Sequence, residues 1–105
     1  MNENAYQAKL IKKLEERFPG SVVMKNDPSH RQGIPDLTIL WGKCWATLEV
    51  KATAKSRVRP NQEFYIEKLD SMSFAAFINP DNEEDVLDAL QRTFESCGGP
   101  CLPES

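Results

Sequence analysis

The sequence predicts one small α/β domain in which helices pack against a short mixed sheet. Its 105 residues leave room for a single modest core. Apolar residues at helical spacing near the N-terminus, strand-like runs on both sides of Gly42-Lys43, and a helical stretch after Pro60 indicate the order α-β-β-β-α-β-α. That order is typical of a small sheet with helices against it.

Three helices are predicted: one over residues 3–18, one over residues 61–69, and one that ends near residue 95. Asp81 is expected to cap the start of the last helix, because Asp81 and Glu84 have the spacing of a capping box. The remaining residues, 97–105, are expected to form a loose tail behind a single domain of residues 1–96.

Four short runs of apolar or β-branched residues are predicted as strands: residues 21–24, 37–41, 44–51 and 74–78. The second and third strands are joined by Gly42-Lys43, a two-residue loop that suits a type II′ hairpin. Trp41 then faces Cys44 across the hairpin. The same register places Asp36 opposite Glu49.

Side-chain alternation divides this hairpin into two faces. The predicted core face is almost entirely apolar and holds Leu37, Ile39, Trp41, Cys44, Ala46, Leu48 and Val50. The opposite face holds Asp36, Thr38, Leu40, Trp45, Thr47, Glu49 and Lys51. The ionisable groups therefore gather at one end of one face.

Two carboxylates opposed across a hairpin repel each other. At about 5 Å and an effective dielectric constant near 20, the repulsion is roughly 3 kcal/mol. A shared proton, a nearby cation or a bound metal would relieve it, and Lys51 supplies one positive charge against two negative ones. Oxygen ligands without His or Cys favour Mg²⁺ or Mn²⁺. An exposed ion-pair cluster on a solvated face remains the alternative.

The charge of the chain is uneven. The net charge is −3, yet residues 25–59 carry a net +4 and residues 60–105 a net −8. Within the basic stretch, Lys55, Arg57 and Arg59 alternate along an extended segment, which suits contacts with phosphate groups, although a solvated loop would look similar. Arg31 and His30 are also candidates for contact with the DNA backbone. We expect His30 to be an exposed loop residue rather than a metal ligand or general base.

The stretch Gly33-Ile34-Pro35-Asp36, followed after twelve residues by Glu49-Val50-Lys51, resembles the PD-(D/E)xK nuclease motif. With Gln62 near the start of the next helix, it is similar to the VRR-NUC branch, whose members resemble Holliday-junction resolvases. The resemblance covers residues 3–79. It implies a restriction-endonuclease-like α-β-β-β-α-β core and an Mg²⁺-dependent endodeoxyribonuclease, with Mn²⁺ as a possible substitute. Branched or distorted DNA and a homodimer are implied as its partners.

The resemblance also implies roles for individual residues. Asp36, Glu49 and the backbone carbonyl of Val50 would bind Mg²⁺. Lys51 would assist the attacking water and the charge that develops on the phosphate, and Gln62 would support the site. A salt bridge from Lys51 to Glu49 would be compatible with that role.

Members of this family often add a glutamate from the first helix. At about 100° per residue, Glu3 lies on the same helix face as the buried stripe, whereas Glu15 and Glu16 point away. Glu3 is therefore the candidate fourth ligand. Acidic residues also favour helix N-termini without any metal, so that reading stays open.

Other classes of protein fit parts of this pattern. A nicking or flap nuclease would use the same residues, and a non-catalytic nucleic-acid-binding module would keep the fold without turnover. The intact Asp36, Glu49 and Lys51 count against that module. No organic cofactor is indicated.

A cytoplasmic location, in a bacterium or in the cytoplasm of a viral host, is expected. No apolar run is long enough to span a membrane, and residues 1–4 lack the features of a secretory signal. The three cysteines, Cys44, Cys97 and Cys101, are then expected to be reduced and unpaired. Cys97 and Cys101 would make only half a zinc site, so we interpret them as tail residues.

Overall fold

The computed structural model describes residues 2–99, which form three helices and a four-stranded mixed sheet. In chain order the elements are α1 (Glu3–Arg17), β1 (Val22–Lys25), β2 (Leu37–Trp41), β3 (Cys44–Val50), α2 (Pro60–Met72), β4 (Phe74–Ile78) and α3 (Glu83–Cys97). The predicted α/β class and element order are confirmed. No helix within this part of the chain is long and apolar enough to cross a membrane.

The sheet has the strand order β1-β2-β3-β4. β1, β2 and β3 pair antiparallel, whereas β3 and β4 are parallel because α2 crosses between them. The hairpin register is the predicted one, since Trp41 pairs with Cys44 and Leu37 with Leu48. The beginning of β2 and the end of β3 therefore lie at the same edge of the sheet.

The core lies between one face of the sheet and the helices α1 and α3. The predicted core face is confirmed: its side chains are buried, except that Trp41 is half-buried. Phe18 at the end of α1, Trp41 in β2 and Phe94 in α3 are in contact through their rings, whose centroids lie 5.1–5.7 Å apart. Burial of this apolar area supplies the main driving force for folding.

Buried Glu83 joins α1 to α3 through a hydrogen bond and an ion pair. The Tyr6 hydroxyl donates a hydrogen bond of 2.9 Å to Glu83, and the Lys13 ammonium donates one of 2.6 Å to its other oxygen. Burial and the adjacent Glu83 carboxylate raise the pKa of Tyr6 far above its usual range. This contact holds the first turns of α1, and with them Glu3, near the site edge of the sheet.

α2 packs on the opposite face, over β3 and β4, and changes the character of that face. Thr47, Glu49 and Lys51 were predicted on this face and are buried there, with 6%, 4% and 8% of their surfaces exposed. The alternative of a solvated ion-pair cluster is therefore wrong. Burial removes the water that would otherwise screen these charges.

The expectation that the cysteines are unpaired is wrong for two of them. Cys44 and Cys97 form a disulfide, with their Cα atoms 6.0 Å apart. The last turn of α3 packs beside the first residue of β3, a contact across 53 residues of sequence that spacing alone does not reveal. Cys97 therefore ends α3 and does not begin the predicted tail, while Cys101 lies outside the described residues.

The predicted capping box at Asp81 and Glu84 is also wrong. The residue that caps α3 is Asn82. The side chain of Asn79 accepts the backbone N–H groups of Asp81 and Asn82, and that of Asn82 accepts the N–H of Asn79. Two asparagines thus build the turn by local hydrogen bonds, which moves the helix start two residues beyond Asp81.

Candidate metal and nucleic-acid site

Asp36 lies directly before β2 and points across the hairpin. Its Oδ2 accepts a hydrogen bond of 2.9 Å from the backbone N–H of Val50, at the end of β3. The strand ladder itself ends one step earlier, at Leu37 and Leu48. The sequence-derived register therefore correctly placed Asp36 beside the end of β3, where Glu49 lies.

Glu49 is buried with one oxygen unpaired. Its Oε2 accepts a hydrogen bond of 2.9 Å from Gln62 Nε2 and lies 3.6 Å from Lys51 Nζ. Its Oε1 has no hydrogen-bond partner in the described protein. A buried carboxylate oxygen without a partner is costly, so this atom is available to bind a cation or a water molecule.

Lys51 and Gln62 hold each other in place under α2. Lys51 Nζ donates to Gln62 Oε1 and to the backbone carbonyl of Arg57, both at 2.9 Å. The backbone N–H of Arg59 also donates to Gln62 Oε1, at 3.0 Å. Since two donors occupy this oxygen, the amide nitrogen of Gln62 must face Glu49.

The surroundings of Glu49 favour its protonated form when no metal is bound. Burial raises the pKa of Glu49 to about 7, and the charge of Asp36 adds to that increase. Lys51 opposes the shift, while Glu3 contributes a smaller increase. Glu3 is the exposed first residue of α1. Its effect on the pKa of Glu49 indicates that the N-terminus of α1 lies near the site.

A cleft of about 440 Å³ opens beside the two acids. The loop of residues 27–34 lines one side of it, and Arg59, Asn61 and Gln62 line the other. Asp36 and Glu49 both line it.

The loop of residues 27–34 rests directly on α2. Gly33 has a φ of +91°, and a Cβ at this position would lie 2.7–2.9 Å from Asn61 atoms. The Arg31 guanidinium donates a hydrogen bond of 3.3 Å to the Tyr65 hydroxyl. Steric contact thus explains the glycine at this position of the sequence motif, since only a residue without a Cβ lets the loop approach the helix so closely.

The predicted nucleic-acid contacts differ in their relation to this cleft. Arg59 lines it directly. Lys55 and Arg57 are exposed on the segment between β3 and α2, while Arg31 is exposed on the loop beside Tyr65. His30 is exposed on the same loop, as expected.

Sequence reasoning missed two residues of the site, Asn26 and Asn61. Asn26 bonds to the segment that carries Asp36, and Asn61 packs against Gly33. In the sequence they are ordinary asparagines, one in a polar loop and one in the first turn of a helix. Only the folded contacts distinguish them.

The donors present fit a hard divalent cation. Asp36 and the unpaired oxygen of Glu49 provide carboxylate ligands, which Mg²⁺ prefers, together with waters. Within residues 2–99, no three His, Cys, Asp or Glu side chains are grouped closely enough to hold an ion by themselves. Backbone carbonyl oxygen or solvent would have to complete the ligand set.

Comparison with known proteins supports the fold. No family model matches the chain, and no curated protein matches it. A solved structure described as a VRR_NUC domain protein is similar, with a TM-score of 0.66 and 16% sequence identity over 90% of this chain and 89% of that one. At this identity the likeness shows a shared fold, and it agrees with the fold expected from the motif.

The raised pKa of Glu49 predicts a pH-dependent stability in EDTA. A carboxyl whose pKa is raised from 4.5 to about 7 on folding stabilises the protein fully below pH 4.5 and loses that contribution as the pH rises through 7. Glu49→Gln should therefore gain stability relative to wild type over this range, by at most about 3 kcal/mol. Urea unfolding between pH 4.5 and 8.5 measures the difference.

The exposed Glu67→Gln is the control for this experiment, since its stability difference from wild type should not vary with pH. A constant difference for Glu49→Gln as well would show that burial does not hold this carboxyl in its protonated form.

A pair of glycine substitutions tests the contact between the loop and α2. Gly20 and Gly33 have φ values of +87° and +91°, but a Cβ at Gly20 would meet no atom within 4 Å. Both alanine variants should lose about 1–2 kcal/mol of unfolding free energy from backbone strain. Gly33→Ala should lose at least about 1 kcal/mol more because Asn61 must move. Equal losses in urea unfolding would contradict the close approach.

Proposed function

We propose that this chain is a metal-dependent nuclease that hydrolyses phosphodiester bonds of DNA in the cleft beside Asp36 and Glu49. The observation that carries the proposal is the buried, unpaired Oε1 of Glu49, which lies next to a second carboxylate and a buried lysine. The sequence motif and the fold shared with a VRR_NUC domain protein favour the same activity.

The proposed metal is Mg²⁺, with Mn²⁺ as a substitute. Asp36, Glu49 and the backbone carbonyl of Val50 would hold it, and Glu3 would approach from α1. When bound, such an ion lowers the pKa of a coordinated water and stabilises negative charge on the scissile phosphate. Its positive charge would also offset the burial and the repulsion from Asp36 that raise the pKa of Glu49.

Lys51 is proposed to stabilise the negative charge that the phosphate gains in the transition state. Its ammonium is buried and held at two points, by Gln62 and by the carbonyl of Arg57, so its charge is poorly screened and does not need to reorganise. Gln62 keeps Lys51 and Glu49 in a fixed relation through its two amide atoms. It is a positioning residue.

Arg59, Lys55, Arg57 and Arg31 are proposed to contact DNA phosphates around the cleft. Phosphate contacts carry no sequence information, so recognition would depend on the shape of the DNA. The resemblance to Holliday-junction resolvases favours branched DNA as the substrate.

A homodimer is proposed because two strands of a junction require two sites. Val22, Met24 and Leu40 are exposed on the outer face of β1 and β2, which makes this face the candidate for the second copy. Sedimentation at micromolar concentration measures the association, and a monomer that cleaves both junction strands symmetrically would contradict it.

The central test is cleavage of a four-way junction, a flap and a linear duplex, each with Mg²⁺ and with EDTA. Asp36→Asn should abolish cleavage while preserving the fold and DNA binding, because it removes one ligand charge and keeps the side-chain shape. Glu49→Gln should behave in the same way. Retention of more than about a tenth of the wild-type rate in either variant would refute the site.

The same assay tests Glu3. Glu3→Gln should raise the Mg²⁺ concentration required for half-maximal cleavage, whereas Glu15→Gln on the outer face of α1 should leave it unchanged.

Preferential cleavage of the flap would favour the flap-nuclease alternative. DNA binding without cleavage of any substrate would favour the non-catalytic module.

Replacement of Lys55, Arg57 and Arg59 by Ala should weaken binding to all three DNA shapes about equally. With fewer phosphate contacts, fewer counterions are released from the DNA when the variant binds. The slope of log affinity against log salt should therefore flatten by roughly 1 per lost contact. Lys9, Lys12 and Lys43, exposed on other surfaces, provide a charge-matched control triple. An unchanged slope in the first variant would place the DNA on another surface.

A further inference from the structure

We infer that Asn26 is a positioning residue that holds Asp36 in place and closes the base of the loop lining the cleft. This inference rests on the proposed function, since it assigns Asn26 its effect through the metal site. Asn26 follows β1 directly and is half-buried. It was not among the sequence-derived site residues.

Asn26 makes hydrogen bonds on both sides of the Asp36 backbone. Its own N–H donates to the carbonyl of Asp36 at 2.8 Å, and its Nδ2 donates to the carbonyl of Pro35 at 2.9 Å. The side chain also pairs with Thr38, because Nδ2 donates to the Thr38 hydroxyl at 2.8 Å and Oδ1 accepts from it at 3.1 Å. One residue thus bonds to three positions around the start of β2.

These bonds complete the immobilisation of Asp36. Val50 holds the Asp36 carboxylate from the β3 side. On the β1 side, the backbone N–H of Asn26 binds the Asp36 carbonyl, and the Asn26 side chain binds the neighbouring residues Pro35 and Thr38. Because the backbone bond from Asn26 to Asp36 continues the pairing of Lys25 with Leu37 by one step, Asp36 is tied to the end of β1 although it lies in a bend before β2. A metal ligand fixed from both sides loses little conformational entropy when it binds an ion.

The same bonds close the loop that lines the cleft. The chain leaves the sheet after Asn26 and returns at Pro35, so the hydrogen bond from Nδ2 to the Pro35 carbonyl joins the two ends of this loop. Gly33 then contacts Asn61 on α2. Asn26 therefore acts on both the ligand Asp36 and the loop that lines the cleft.

Asparagine is chemically suited to this position. Its amide supplies two donor hydrogens and one acceptor, and all three functions are used. Aspartate could accept from Thr38 but could not donate to the Pro35 carbonyl, and it would bring another negative charge near Asp36. Alanine would leave a carbonyl and a hydroxyl without their partner.

The test compares Asn26→Ala with wild type in two measurements. Calorimetric titration with Mn²⁺ in the absence of DNA should show at least about tenfold weaker binding, the typical effect of removing a residue that orients a metal ligand. Cleavage of the four-way junction should require a correspondingly higher Mg²⁺ concentration, with partial recovery of the rate at saturating Mg²⁺.

The control is Ser73→Ala, which removes a side-chain hydrogen bond to the carbonyl of Trp45 at the opposite end of the sheet. It should lose stability without any change in Mn²⁺ affinity. If Asn26→Ala does not fold, Thr38→Val provides the test, because it removes the hydroxyl partner of Asn26 and leaves the rest of the site intact. Thr38→Ser should restore wild-type affinity.

Wild-type Mn²⁺ affinity in Asn26→Ala, or in Thr38→Val where the alanine variant is unfolded, would overturn the inference and leave the proposed function standing. If wild-type protein neither binds Mn²⁺ nor cleaves DNA, the proposed function fails, and the inference fails with it. Weaker Mn²⁺ binding in Asn26→Ala together with an unchanged Ser73→Ala supports both.

Discussion

The surroundings of the site are organised around two carboxylates at one end of the β2–β3 hairpin, which repel each other. One of them is also buried beneath a helix, which makes its negative charge costly. Asp36 is partly neutralised by the N–H of Val50, and Glu49 by Gln62 and Lys51. These contacts do not cancel the charge, because the pKa of Glu49 is still raised to about 7 and its Oε1 has no partner. A purely structural core would be more stable with apolar residues in these places.

α2 has two functions in this arrangement. As the crossover between β3 and β4 it makes their pairing parallel, which brings the ends of both strands to the site edge. As a cover over that face it excludes water from Glu49 and Lys51 and supplies Gln62 from its first turn. The same helix supports the loop that contains Gly33. Without α2, Glu49 and Lys51 would be exposed to water, the loop that contains Gly33 would lose its support, and the cleft would lose one of its sides.

The parts of this structure that were predictable from sequence depend on short-range rules. A two-residue loop determines the register of a hairpin, and alternation then assigns each side chain to a face, so the positions of Asp36 and Lys51 relative to Glu49 followed from Gly42. What could not be predicted depends on how distant elements pack. Three features depend on segments that are distant in sequence, and no local pattern encodes their approach. They are the burial of Glu49, the contact of Cys44 with Cys97 and the hydrogen bonds of Asn26. The start of α3 was missed because the side chains of Asn79 and Asn82 form a local turn, which gives Asn82 the N-cap position predicted for Asp81.

The disulfide divides the candidate site between two parts of the chain. The bond between Cys44 and Cys97 closes a covalent ring that contains β3, α2, β4 and α3, and therefore Glu49, Lys51 and Gln62. Asp36 belongs to the open arm outside this ring and reaches its partners through strand pairing and one hydrogen bond to Val50. The site thus lies on the seam between a covalently restrained part and a part held only by non-covalent contacts. Local unfolding at this boundary would separate Asp36 from Glu49, while the disulfide would still link the two ends of the ring. An ion bound by both acids would connect the two parts of the chain and oppose this unfolding.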